Sequence, residues 1–225
     1  VIASPGTIKT GQPRMQALVE LATATTLAPW TLSRTHLVRA RASGLSDADT
    51  LHAIALASYF GHLNRIADAV AVPLDYEVQL AAPHADPSAP ALAPSPVARS
   101  GRPVFELAER AETAKAAAEW KSYIFFKDAP LTRRQRTFIA RHVANWLGDG
   151  GISPPEDMTA NPLDDALRIL AEIVTLAPWQ LTDASFAPLR KAGFDDAALF
   201  DACATASSAG MFSRIETALI SLGGE

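Results

Sequence analysis

This 225-residue chain predicts an all-α fold, a helical bundle built on a duplicated hairpin. Three observations carry the prediction. Residues 27–70 recur without a gap as residues 176–219: the offset of 149 holds for Trp30 and Trp179, Gly44 and Gly193, and Arg65 and Arg214. Of the 44 aligned positions 17 are identical, where unrelated alanine-rich sequences would share about four. Apolar residues fall at helical spacing through both copies, and strand-like alternation is nowhere sustained. Proline and glycine punctuate the two copies at the same places.

Taken in order, residues 1–14, with Pro5, Gly6, Gly11 and Pro13, read as an irregular lead-in. From Met15 to Leu27 the residues Leu18, Leu21, Ala22 and Thr25 share one helical face. Pro29 stops that helix, because it has no N–H and disfavours helical geometry at Ala28. Ser33 is placed to cap a short helix that closes at Gly44, the residue best able to take a positive φ after the last turn. Ser46 caps the next helix, from Asp47 to about Val70. Asp47 and Asp49 in its first turn suit the helix dipole, and Leu51, Ile54, Ala55, Ser58, Tyr59, Leu63 and Ile66 form a broad apolar face. The second copy repeats the plan, with Thr182 and Asp195 as caps and Gly193 as the stop.

Residues 81–103 hold six prolines, at 83, 87, 90, 94, 96 and 103. No helix survives that density, so an extended linker is expected there, separating a first unit (1–80) from a second (104–225). The second unit opens with helices at about Val104 to Phe126 and Thr132 to Leu147. A Gly/Pro loop follows, and then a helix from Pro162 to Leu176 that leads into the second copy.

With 48% hydrophobic and 20% charged residues, the chain has the apolar content to bury a good core. A net charge of −4 provides no basic field for phosphates, which sets nucleic acid aside as a partner. No apolar run reaches the eighteen or so residues of a membrane span, and no signal-peptide pattern opens the sequence. No membrane partner and a cytoplasmic location are therefore expected. The single cysteine, Cys203, rules out an internal disulfide and a cysteine-rich metal site. His36, His52, His84 and His142 make no H-x-x-x-H or H-E-x-x-H spacing, so neither metal nor cofactor is expected. The sequence starts at Val1 rather than at a methionine, which leaves room for residues upstream.

The stretch G-L-S-D-A-D-T-L-H-A-I-A-L-A-S-Y-F-G-H-L-N-R-I-A-D-A-V, a Gly-Leu-Ser-Asp turn followed by a long helix ending in Tyr-Phe-x-x-x-Asn-Arg-x-Ala-Asp, resembles the closing helices of the alkylhydroperoxidase D-like proteins. These belong to the carboxymuconolactone decarboxylase superfamily, and the resemblance is to its peroxidase-related branch. Residues 131–147 look like the helix that precedes the family's active site. The resemblance covers most of 15–80 and 105–222. It implies an all-helical, commonly oligomeric protein and, where active, peroxide reduction by a Cys-x-x-Cys pair with a glutamate and a histidine as proton carriers. A thiolate attacks the peroxide, a second thiol resolves the sulfenic acid, and nearby groups move protons.

Anchored on Asn145, that motif would put cysteines at Leu147 and Gly150, the histidine near Pro154 and the glutamate near Gln135, and none of the four groups is present. In the first unit the matching segment would lie upstream of Val1. No dithiol peroxidase activity is therefore expected of this chain. Two other readings stand beside the peroxidase-type oxidoreductase. One is a non-catalytic oligomeric module that binds a small-molecule ligand. The other is a cysteine-independent lyase of the carboxymuconolactone decarboxylase type, with His62 as the candidate catalytic base. Neutral imidazole serves either a packed or a ligand-facing role, and the other copy has Met211 at the same position. Asn64, Arg65 and Asp68 follow on the same helix as candidate substrate-binding residues, with Arg65 and Asp68 spaced i, i+3 for an ion pair or a substrate clamp.

Cys203 aligns with Ile54 and reads as a small core residue. Trp30 and Trp179 read as a shared packing anchor. Arg133, Arg134 and Arg136 read as a solvated helix start or a surface for an acidic partner. The small-residue run A-C-A-T-A-S-S-A-G permits close helix approach, and with the family's tendency to associate it suggests a homo-oligomer.

Overall fold

The computed structural model describes residues 11–71, 103–104, 111–149 and 161–223. It is all-helical, with eight α-helices among the described residues. They are α1 (Pro13–Leu27), α2 (Arg34–Ala42), α3 (Asp47–Ala69), α4 (Ala111–Phe126), α5 (Arg133–Trp146), α6 (Pro162–Leu176), α7 (Asp183–Lys191) and α8 (Asp196–Gly223). Short 3-10 turns at Pro29–Thr31 and Pro178–Gln180 follow α1 and α6. Lead-in residues 1–10, nearly all of the proline-rich stretch 81–103, and His84, Gly150 and Pro154 lie outside the described residues.

The start and stop signals act largely as the sequence suggests. Ser46 Oγ accepts the Asp49 N–H at 3.0 Å while the Asp49 carboxylate accepts the Ser46 N–H at 2.9 Å, a reciprocal cap. Asp195 accepts from the Ala198 N–H at 2.9 Å. Gly44 and Gly193 take φ of +85° and +94°, where a Cβ would be strained. Ser33 differs: it sits at the N-cap of α2, but its hydroxyl pairs with His36 Nδ1 at 3.0 Å and takes no helix N–H. Two helix starts also move. α1 begins at Pro13, a first-turn position that needs no N–H donor. Val104 is not helical; its N–H donates to the Leu219 carbonyl at 3.2 Å.

The observed elements extend the duplication. The same offset of 149 carries α1 onto α6, and 7 of those 15 aligned positions are identical, Leu21 with Leu170 and Thr26 with Thr175 among them. The repeat is thus three helices long. α3 and α8 pack against each other through the centre, and the two copies share their core. Leu21, Leu37, Leu51 and Ile54 of the first copy cluster with Ile215, Ala218, Leu219 and Leu222 of α8, while Trp30 packs on the cluster formed by α5–α8. A fully buried side chain of this size stabilises by about 1.5–3 kcal/mol, so each copy depends on the other for part of its core.

Two arginines link the copies crosswise. Arg214 of α8 donates from Nε to the Thr26 carbonyl at the end of α1 (3.0 Å), from Nη1 to the Gly210 carbonyl (3.2 Å) and from Nη2 to the Thr175 carbonyl (2.9 Å). Its counterpart Arg65 donates from Nε to the Thr175 carbonyl at the end of α6 (3.1 Å) and from Nη1 to the Gly61 carbonyl (2.8 Å). Each therefore supplies donors to last-turn carbonyls of the opposite copy, which a helix cannot satisfy itself. Gly61 and Gly210 are where the guanidinium folds back. A Cβ built there would stand 2.9 Å from Arg65 Nη1 and 2.8 Å from Arg214 Nη1.

Arg136 is the main correction. A run of three arginines at a helix start suggests solvated charge, yet Arg136 is only 1% exposed. Its guanidinium forms a two-pronged ion pair with Asp201 of α8 and donates to the carbonyls of Ile124 (2.9 Å), Ala129 (3.1 Å) and Leu131 (3.2 Å). Asp201 also accepts the Leu131 N–H at 3.0 Å. The planar, many-donor guanidinium closes the α4–α5 turn onto α8, and fully paired burial of this kind needs those donors. Arg134 binds Asp164 of α6 at 2.9 Å, which leaves Arg133 at the surface over the Phe126 ring.

Candidate functional site

α3, α4 and α8 enclose an open cavity of about 550 Å³. His62 lines it from α3, next to Gly61, whose carbonyl accepts the folded-back Arg65 guanidinium. The walls are apolar: Leu56 and Leu63 from α3, Ala116 and Ala117 from α4, and Met211 and Ile215 from α8. Among the described residues the lining holds no Asp, Glu, Lys or Arg, its polar groups coming from His52, Tyr59, His62, Thr113 and Trp120. Trp120 stands edge-on to the His62 ring, with centroids 6.1 Å apart and planes at 70°, and stacks on Tyr123 at 5.8 Å.

His62 is 8% exposed, and its orientation is fixed. Nδ1 lies 2.9 Å from Ser207 Oγ, and the Ser207 hydroxyl donates to the His62 backbone carbonyl at 2.9 Å. The serine has one proton and it is committed to the carbonyl, so Nδ1 must carry a hydrogen and donate it to Ser207 Oγ. The neutral ring therefore presents Nε2 as a bare acceptor. Burial holds the imidazole below its ordinary pKa of 6.5 and the nearby Arg65 charge adds to that, against an opposing interaction with the Ser207 backbone. Neutral imidazole is thus the resting form near pH 7.

The duplication isolates this as a feature of one copy. Ser58 and Ser207 are equivalent and identical, and Met211 occupies the position of His62. Ser58 Oγ is buried and has no hydrogen-bond partner, and the methionine that replaces the histidine in the other copy has no donor comparable to Nδ1–H. One copy of the serine pairs with a histidine, and the other is left without a partner.

The remaining sequence candidates do not gather around His62. Asn64 is exposed. Arg65 faces the interior and caps α6; burial lowers its pKa to about 10, while the Asp68 charge acts on it through space in the opposite sense. Asp68 lines a second cavity, of about 450 Å³, with Cys203, Arg190 and Asp196, and its carboxyl is raised by burial. Cys203 is a core residue, 1% exposed, its thiol pushed up by burial to about 12. Gln135, where the resemblance would place a glutamate, accepts the Thr132 N–H at 2.9 Å and so caps α5. Leu147 is fully buried. Among the described residues no group of three His, Cys, Asp or Glu side chains could hold a metal ion, and no helix is long and apolar enough to cross a membrane.

Ser207 and Trp120 are site residues that sequence reasoning missed. A signal for the serine was present: it is identical in both copies within a stretch where its neighbour changes from His to Met. Against known protein families, curated proteins and solved structures, no match was found for this chain.

Proposed function

We propose that this chain is an alkylhydroperoxidase D-like helical protein without thiol peroxidase chemistry, which binds a small apolar molecule beside His62 and accepts a proton from it. The observation that carries the reading is the Ser207–His62 couple, which fixes the Nδ1–H tautomer and leaves Nε2 as the acceptor of a ring that lines an apolar cavity. When ligand enters, its acidic X–H bond breaks, the proton joins Nε2 and the electron pair remains on X. The imidazolium keeps its Nδ1–H bond to Ser207, whose own O–H still donates to the His62 carbonyl, so no further rearrangement is needed. Such a base serves a cysteine-independent lyase, and without turnover the same acceptor serves recognition alone.

Against dithiol peroxidase chemistry stands the single thiol, Cys203, buried and held protonated. Self-association is part of the proposal, because Phe60, Tyr123 and Phe126 are each about half exposed on α3 and α4. A reducing cytoplasm suits a chain with one free cysteine.

The test is a titration with the neutral apolar probe N-phenyl-1-naphthylamine. Saturable binding is expected in the unaltered protein and loss in Ala117→Phe, which fills the cavity, while nitrogen NMR should show His62 as the Nδ1–H tautomer. Unsaturable binding, or a neutral His62 protonated at Nε2, would overturn the reading.

A further inference from the structure

Resting on that reading, we infer that the cavity selects an uncharged aromatic hydroxyl compound, a phenol or ring enol, over a carboxylate or an ammonium of the same size. The His62 acceptor is a lone pair on a neutral ring, which attracts an O–H and repels a carboxylate oxygen. Among the described residues no Lys or Arg lines the cavity. Arg65, the charge felt at His62, does not line the cavity; it is buried and bonded to the Gly61 and Thr175 carbonyls. An anion entering would lose its water without a partner, and so would an ammonium, because no carboxylate lines the walls among the described residues. Trp120 already donates its Nε1–H to Ser208 at 3.2 Å, so it presents ring surface to a ligand and not a donor. The Trp120 and Tyr59 rings pack around His62, with centroids 6.1 and 6.5 Å from it, and all three line the cavity, which gives a flat ring aromatic surfaces to meet edge-on or offset. About 550 Å³ lies within the range of pockets that hold small organic ligands.

The test is isothermal titration calorimetry of the full chain at pH 7.5 with four naphthalene probes: 2-naphthol, 2-methoxynaphthalene, 2-naphthoate and 2-naphthylmethylammonium. Naphthol should bind about tenfold tighter than its methyl ether, the effect of one hydrogen bond to a buried acceptor. The two charged probes should bind more weakly than the ether. In His62→Phe the naphthol and ether affinities should converge while the ether still binds; Ser207→Ala, which releases the tautomer, should narrow the gap part-way. If the ether equals naphthol in the unaltered protein, or either charged probe binds tightest, the inference falls and the apolar-cavity reading stands. If no naphthalene binds at all, both fall.

Discussion

Gly210→Ala offers a prediction whose sign separates two physical arguments. Replacing a glycine inside a helix by alanine ordinarily stabilises by about 1 kcal/mol, because glycine loses more backbone freedom on folding. Here the new Cβ would stand 2.8 Å from Arg214 Nη1, while ordinary contact begins at 3.4 Å, so the guanidinium must retreat by 3.4 − 2.8 = 0.6 Å. The group is planar and rigid. A shift of that size stretches the bonds to the Thr26 and Thr175 carbonyls, now 3.0 and 2.9 Å, toward the limit of hydrogen bonding. Charge-assisted bonds are worth about 1.5–3 kcal/mol each, and weakening two of them outweighs the helix gain. A net loss of about 1–3 kcal/mol is expected, or about 2–12 °C in Tm for a chain of this size. Urea denaturation measures it, and the control is the same substitution in an Arg214→Met background. With the guanidinium gone, alanine should again stabilise, by about 1 kcal/mol. If Gly210→Ala stabilises the unaltered protein as it would any mid-helix glycine, the account of the folded-back arginine is refuted.

Other expectations follow from the same geometry. Asp201→Ala removes one partner of a buried ion pair and leaves the Arg136 charge uncompensated, so a loss of about 3–5 kcal/mol is expected in chemical denaturation. Ser58→Ala should be neutral or slightly stabilising, since the hydroxyl it removes has no partner, whereas Ser207→Ala should destabilise and change the His62 tautomer seen by nitrogen NMR. His36, His62 and His142 are all held below the ordinary 6.5 by burial as the first cause. The unfolded chain therefore binds more protons as pH falls from 6.5 toward the folded values, and stability should decline through that window and rise as pH is raised back through it. A denaturation series that is flat, or improves on acidification, would contradict this. Cys203 should resist a disulfide reagent at pH 8 in the native protein and react once the chain is unfolded.

The all-α class and the doubled hairpin were legible because both rest on local signals. Helical spacing, a reciprocal cap such as Ser46–Asp49, and glycines forced to positive φ leave a periodic mark in the chain. The kinship of α1 and α6 was legible too, in Leu21, Ala22 and Leu27 set against Leu170, Ala171 and Leu176, but it lies just upstream of the densest matching stretch. What could not be read was pairing across distance. Arg136 looks solvated in sequence because Asp201, which accepts its charge, sits 65 positions away on another helix. Ser207 and His62 are 145 positions apart, and nothing periodic joins them. The Gly-x-x-x-Arg spacing, identical in both copies, was a visible clue to a folded-back side chain, though its targets, the carbonyls of Thr26 and Thr175, belong to tertiary structure alone.

The reciprocal arginine caps also govern how the chain must assemble. Thr26 and Arg214 are 188 positions apart, so the end of α1 stays open until α8 arrives from the far terminus. Either half made alone would expose a ragged helix end and half a core, and its rapid partner is the other half. Loop-closure entropy grows only logarithmically, about 0.6 kcal/mol for each doubling of length. Lengthening the proline-rich stretch should therefore matter little, whereas cutting it makes the docking of the two halves depend on concentration.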